Sequence, residues 1–184
     1  MRMDSVARSI GLSCGCLVAL LTLGCGQGSY DELIRQQMTE VGTWSPYESQ
    51  LGYAVKIPDG VSAEPTTDET SDLVKFEWKG HLFRIEGLKT DTPDLEAEAK
   101  KLTDYYVSQA YEAGNPQNVS IDRLSGKKMS FSNPEADDLQ IQVINFRQGI
   151  VRLMVSAPPQ AFQDRIAQQF FGSVQHKPVQ RGRR

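Results

Sequence analysis

Thiols, imidazoles and clustered carboxylates are the groups in this chain able to carry chemistry, and their placement narrows what that chemistry is. The three cysteines are Cys14, Cys16 and Cys25, all near the start of the 184 residues. The two histidines, His81 and His176, lie far apart, with no His-x-x-x-His or similar ligand spacing, so a zinc site is not expected. His81 follows a hairpin turn and is expected to be an exposed turn histidine rather than a ligand or general base. Carboxylates cluster at Asp68, Glu69 and Asp72, and again at Glu135, Asp137 and Asp138. A calcium site uses such groups with backbone carbonyls; without the D-x-[DN]-x-[DN]-G loop pattern, both clusters read as solvated loops. Paired carboxylates also serve glycosidases, but nothing in the spacing places two of them across a cleft. Gly11-Leu12-Ser13-Cys14-Gly15 matches the nucleophile-elbow pattern, which needs a strand-to-helix turn in a folded sheet; it sits in an apolar leader and reads as chance. Gly24, Gly26 and Gly28 follow no strand and open no helix, so they form no phosphate loop. No catalytic residue, metal ligand or cofactor is assigned.

The leader is the strongest signal. Arg2 and Arg8 make a positive start, and Ile10 to Leu23 is mostly apolar and uncharged. A membrane-spanning helix needs roughly 20 apolar residues; this shorter run fits the core of an export signal. It ends at Gly24-Cys25-Gly26, which resembles a bacterial lipoprotein signal, cut before the cysteine that then carries lipid. Thr22 departs from the pattern, where leucine is usual. Secretory cleavage near Gly26 or Gly28 is the competing reading, and an uncleaved N-terminal anchor a third. Lipidation at Cys25 implies a palmitate-bearing membrane anchor, and Gly26 rather than Asp after it implies the outer membrane, periplasmic face.

Cleavage before Cys25 leaves one cysteine, blocked by lipid, so no disulfide framework supports the fold although the compartment permits one. It also lowers Lys+Arg from 20 to 18 and Asp+Glu from 23 to 22, a net charge of -4. That mild acidity gives no reason to expect a nucleic-acid partner. The remaining length is one domain's worth, enough for a core.

Residues 25–43 read as lipidated cysteine, tether and a short helix over Tyr30 to Val41, with Ile34, Met38 and Val41 on one face. A folded domain is expected over 44–175. Tyr53, Val55 and Ile57 alternate along a first strand that turns at Pro58-Asp59-Gly60. Val61 to Ser71 is polar and reads as a loop. Val74, Phe76 and Trp78 mark a second strand, and Lys79-Gly80 a hairpin into a third, His81 to Leu88. Asp91 or Thr92 is expected to cap a long helix with Pro93 in its first turn, Leu95, Ala99, Leu102, Tyr106 and Ala110 on its inner stripe, and Gly114 as its stop. Tyr105 is expected to be half-buried at the helix edge. Strands follow at Val119 to Leu124, closed by Ser125-Gly126, then at Lys128 to Phe131, Leu139 to Val143, and Ile150 to Ser156. Pro158-Pro159 opens a last helix with Phe162, Ile166 and Phe170 on one face. Residues 176–184 read as a basic, disordered tail.

The order β-β-β-α-β-β-β-β-α, dominated by hairpins, makes an α+β fold: a mainly antiparallel sheet with helices packed on it. Two stretches sharpen this. Tyr53-Ala54-Val55-Lys56-Ile57-Pro58 resembles the opening strand of PsbP-like domains. Gly149 to Val155, a Pro-opened helix, then Phe170-Phe171-Gly172-Ser173-Val174 resembles their ending. The resemblance implies an α/β/α sandwich over about 44–175. Such domains include extrinsic photosystem II subunits, a Ran-binding nuclear protein and bacterial envelope lipoproteins; most bind other proteins, and they share no catalytic motif.

The function expected is therefore a lipid-anchored, non-enzymatic envelope module that binds an unidentified envelope protein. The alternatives are a small-ligand carrier or a carboxylate-dependent hydrolase. A binding module predicts an exposed apolar or aromatic patch and no deep pocket. A carrier predicts an apolar cavity of several hundred Å3. A hydrolase predicts at least two carboxylates converging in a cleft with shifted pKa values.

Overall fold

The computed structural model describes residues 42–177. The leader, Cys25, the tether with its proposed helix, and residues 178–184 of the tail lie outside the described residues. Five strands come first: β1 (Trp44–Glu48), β2 (Tyr53–Pro58), β3 (Glu64–Thr67), β4 (Ser71–Trp78) and β5 (His81–Lys89). Helix α1 (Leu95–Ser108) follows. Then come β6 (Glu112–Ala113), β7 (Gln117–Ile121), β8 (Leu124–Ser132), β9 (Asp138–Phe146) and β10 (Gly149–Ala157), helix α2 (Asp164–Phe171), and β11 (Gln175–His176). An eight-stranded sheet runs β3-β4-β5-β10-β9-β8-β6, with β7 also on β8; a three-stranded sheet runs β1-β2-β11. The pairings are antiparallel, as the hairpin-rich sequence requires.

The large sheet is covered on both faces, and period-2 alternation sorts its side chains between them. Val74, Phe76, Phe83, Ile85, Ile144, Phe146, Val151, Leu153 and Val155 face one way. They pack against Tyr53 and Val55 of the small sheet and against Ile166, Ala167, Phe170 and Phe171 of α2. Phe76 stacks on Phe83 at 4.7 Å, and Phe170 meets Phe83 edge-on at 5.1 Å. Met129, Phe131, Leu139, Ile141, Val143 and Ile150 face the other way, toward Ala99, Leu95, Leu102 and Tyr106 of α1. No helix among the described residues is long and apolar enough to cross a membrane.

Several expectations change. Part of Val61 to Ser71 is strand β3, and β1 precedes the first expected strand; both are short edge strands, with Pro65 and Pro46 interrupting any alternation. The cap of α1 is Asp94, whose carboxylate accepts from the Ala97 N–H at 2.9 Å, so Asp91, Thr92 and Pro93 all precede the helix. The helix stops at Ser108 rather than running to Gly114, because Ala110 is left-handed at φ 64° and the Tyr111 N–H turns back to the Tyr106 carbonyl. The turn placed at Ser125-Gly126 is instead Asp122-Arg123, with φ of 46° and 66°, the two-residue hairpin geometry. Gly126 lies inside β8, where a Cβ would come within 2.6 Å of the Val143 carbonyl. Pro158 begins a turn closed by the Ala161 N–H, and α2 starts only at Asp164. β11 takes in His176, opposite Tyr53, so pairing extends into the stretch read as tail.

Candidate functional site

The α1 face carries a charged cluster that the alternation of two strands and one helix brings together. Arg84 and Glu86 are alternate residues of β5; Arg152 and Met154 are alternate residues of β10. The antiparallel register sets Arg152 directly across from Glu86 and Met154 across from Arg84. Glu98 comes down from α1. Arg152 lies 3.1 Å from Glu86 and 2.6 Å from Glu98, with side-chain exposures of 16% for Arg152 and 12% for Glu98. Arg84 reaches Glu86 at 3.4 Å and keeps 37% of its side chain exposed. The Nε groups of both arginines are buried and have no hydrogen-bond acceptor among the described residues.

Beside these charges lies a cleft of about 240 Å3, with Leu102, Ile141 and Met154 as its apolar part and Tyr105 and Tyr106 along it. Tyr106 donates to the Met154 sulfur at 3.4 Å and leans on Phe131 at 4.8 Å. Burial pushes its phenol above the usual range, against the opposing pull of the Arg84 guanidinium. Tyr105 is not half-buried, as expected, but 57% exposed. Among the described residues, it joins Leu82 and Val107 as the exposed large apolar side chains. Leu82 sits two residues before Arg84 on the same strand face. Two larger clefts, about 330 and 380 Å3, are also lined by polar side chains, among them Lys75 and Thr66 in the first and Glu112, Asp138 and Asp164 in the second. None of these three is the apolar chamber of the carrier reading.

The sequence-stated candidates scatter. Asp68 stays in a loop, where it accepts from the backbone and side chains of Thr70 and Ser71; those bonds hold its carboxyl down at about 2. Asp72, assigned to the same solvated loop, is in fact 1% exposed on β4. It accepts from the hydroxyls of Tyr53, Ser49 and Tyr47 and from the Gly87 N–H at 2.9 Å. The signal for this was present: Asp72 is in step with Val74, Phe76 and Trp78, the buried face of that strand. His81, expected to be exposed, is wholly buried. Its Nδ1 lies 2.9 Å from the Lys79 carbonyl, and its Nε2 accepts the Gln163 N–H at 3.0 Å, just before α2. Glu135 stays in the turn from Asn133 to Ala136, Asp137 follows that turn, and Asp138 begins β9. Among the described residues, no three His, Cys, Asp or Glu side chains are placed to hold a metal ion. The Arg84–Glu86–Arg152–Glu98 cluster went unread in the sequence, since it depends on which strands become neighbours.

No family model matches this chain, and no curated protein does. Solved structures do. The solution structure of cyanobacterial PsbP (CyanoP) from Synechocystis sp. PCC 6803 superimposes with a TM-score of 0.56 at 12% identity, over 73% of this chain and 93% of that one. The fold is PsbP-like. A Bacteroides thetaiotaomicron structure gives a TM-score of 0.48 at 12% identity, with 74% of this chain matched to 49% of that one. A Pseudomonas aeruginosa protein of unknown function gives 0.39 at 15% identity, over 74% of this chain and 99% of that one. The PsbP likeness bears out the expected fold class: antiparallel sheet with helices on it.

Proposed function

We propose that this PsbP-like chain is a lipid-anchored, non-enzymatic accessory module of the bacterial envelope that docks a partner protein on its α1 face. The observation that carries this is Tyr105. A large aromatic ring, 57% exposed, stands beside a partly exposed arginine and a cleft, with Leu82 nearby on the sheet. Aromatic residues, Met and Arg are the side chains enriched where proteins meet. The hydrolase alternative is less well supported: Glu86 and Glu98 do converge, but each is engaged by the Arg152 guanidinium. The anchor rests on the leader and Cys25, and a PsbP-like fold is one the envelope lipoproteins of that resemblance share.

Two measurements test the proposal. Fractionation and intact mass of the native protein should give a membrane-bound form carrying diacylglycerol and acyl groups on Cys25, and a soluble form for Cys25→Ser. A soluble product cut past Cys25 in the wild type sinks the anchor. A photo-crosslinking residue in place of Tyr105 should yield a discrete adduct in the host envelope, absent when the same residue replaces Gln169, which is exposed on α2. Equal labelling from both positions, or none from Tyr105, sinks the docking face.

A further inference from the structure

We propose that the cleft beside α1 receives a segment of the partner protein that inserts one apolar side chain and sets a carboxylate next to it on Arg84. This rests on the α1 face being the docking surface, and it names what that surface recognises. The volume argues for one side chain: about 240 Å3 is the room of roughly eight waters, too little for a drug-sized ligand and enough for a Leu or Phe side chain. The floor of Leu102, Ile141 and Met154 is apolar, and methionine repacks readily around an inserted group.

The charges argue for the carboxylate, and for its place. Two arginines and two glutamates make the cluster neutral, so a bare anion gains little net attraction. The sharing is unequal. Arg152 takes Glu98 at 2.6 Å and Glu86 at 3.1 Å, whereas Arg84 is left with Glu86 at 3.4 Å, past the ordinary hydrogen-bond range. The Nε donors of both arginines are buried and unmatched, but Arg84 keeps 37% of its side chain exposed against 16% for Arg152, so its guanidinium is the one a ligand reaches. A guanidinium with unused donors pairs best with a carboxylate, by two parallel bonds. Binding an apolar group in the cleft excludes water from that contact and strengthens it.

N-acetyl-L-phenylalanine and N-acetyl-L-leucine carry both groups; their C-terminal amides lack the charge. Each is titrated into the full chain and followed by backbone amide resonances. The acids should move the signals of Arg84, Tyr105 and Met154, and bind at least about tenfold more tightly than the amides, the low end for a charge-assisted bond. Arg84→Gln should erase that difference. Met154→Trp should fill the floor and abolish binding of acid and amide alike; Leu102→Phe serves the same purpose should the tryptophan variant melt early. Equal binding of acid and amide by the wild type overturns the proposal, as do shifts confined to other surfaces or no binding at all. The two readings fail separately. A Tyr105 adduct without probe binding removes the cleft and leaves the docking face. Probe binding without an adduct makes a free small acid the ligand and overturns the partner segment.

Discussion

At Asp72 four donors converge on one buried carboxylate: the hydroxyls of Tyr47, Ser49 and Tyr53 and the Gly87 N–H. The group ties β1 and β2 of the small sheet to β4 and β5 of the large one. Gly87 is required there, since a Cβ would run into the Asp72 carboxylate and the Tyr53 ring. Burial first, and the Asp72 charge second, push the Tyr47 phenol up to about 12, and burial with the Asp72 hydrogen bond raises Tyr53 as well. A phenol raised in the folded state contributes stability that is complete below its unfolded value of 10.0 and is lost as pH climbs through the folded value. Denaturant midpoints should therefore fall between about pH 10 and 12 and fall less steeply in the Tyr47→Phe, Tyr53→Phe double variant; identical pH slopes would contradict this. Tyr53→Phe alone should cost about 1–3 kcal/mol at pH 7, the loss of one donor to a buried charge. His81 is the second such residue. Its imidazole bonds the Lys79 carbonyl and the Gln163 N–H, so His81→Leu leaves two backbone groups without partners and should lower stability by about 2–4 kcal/mol, with the first hydrogen-exchange changes at α2.

Among elements, α1 and β10 depend on each other through Arg152 and Glu98. Removing one partner of such a pair strands the other charge and costs about 3–5 kcal/mol when fully buried; with 16% and 12% exposure the cost here should be somewhat smaller. Arg152→Met should thus destabilise strongly. Arg152→Met with Glu98→Leu should recover most of the loss, because apolar side chains of similar size replace a buried pair at little cost. Denaturant unfolding of the three variants measures the coupling; additive losses would deny it. The β7–β8 hairpin shows the same dependence on context. Asp122 and Arg123 take left-handed conformations that the twist of a two-residue hairpin selects, while the glycine that looked like the turn is spent on the close packing of β8 against β9.

Across the described residues, the two hydrophobic clusters share the strands β9 and β10. Val151 and Leu153 face the small sheet and α2, and Ile150 faces α1. Loss of either layer strips one face of the same strands, so the two cores should unfold together. Calorimetry of the full chain should give equal calorimetric and van't Hoff enthalpies for the transition of this domain; two resolved steps from it would show the layers to be independent.

The sequence by itself determined the elements whose pattern is local. Val74-Phe76-Trp78, Leu139-Ile141-Val143 and the stripe Leu95-Ala99-Leu102-Tyr106 are legible because a strand repeats every two residues and a helix every 3.6. The Lys79-Gly80 turn is legible because glycine tolerates a positive φ. From these the α+β class and the antiparallel sheet follow. The short edge strands β1, β3, β6 and β11 were not legible, since pairing on one side and polar surroundings leave no alternation to read. Nor were the partners that the polar residues find. Asp72 and Asp68 are four positions apart and chemically alike, yet one is buried under two tyrosines and the other faces water. Arg84 and Arg152 became neighbours only when β5 paired with β10. Charge and hydrogen bonding act over a few ångströms in space, and the chain sets those distances only after its distant strands have met.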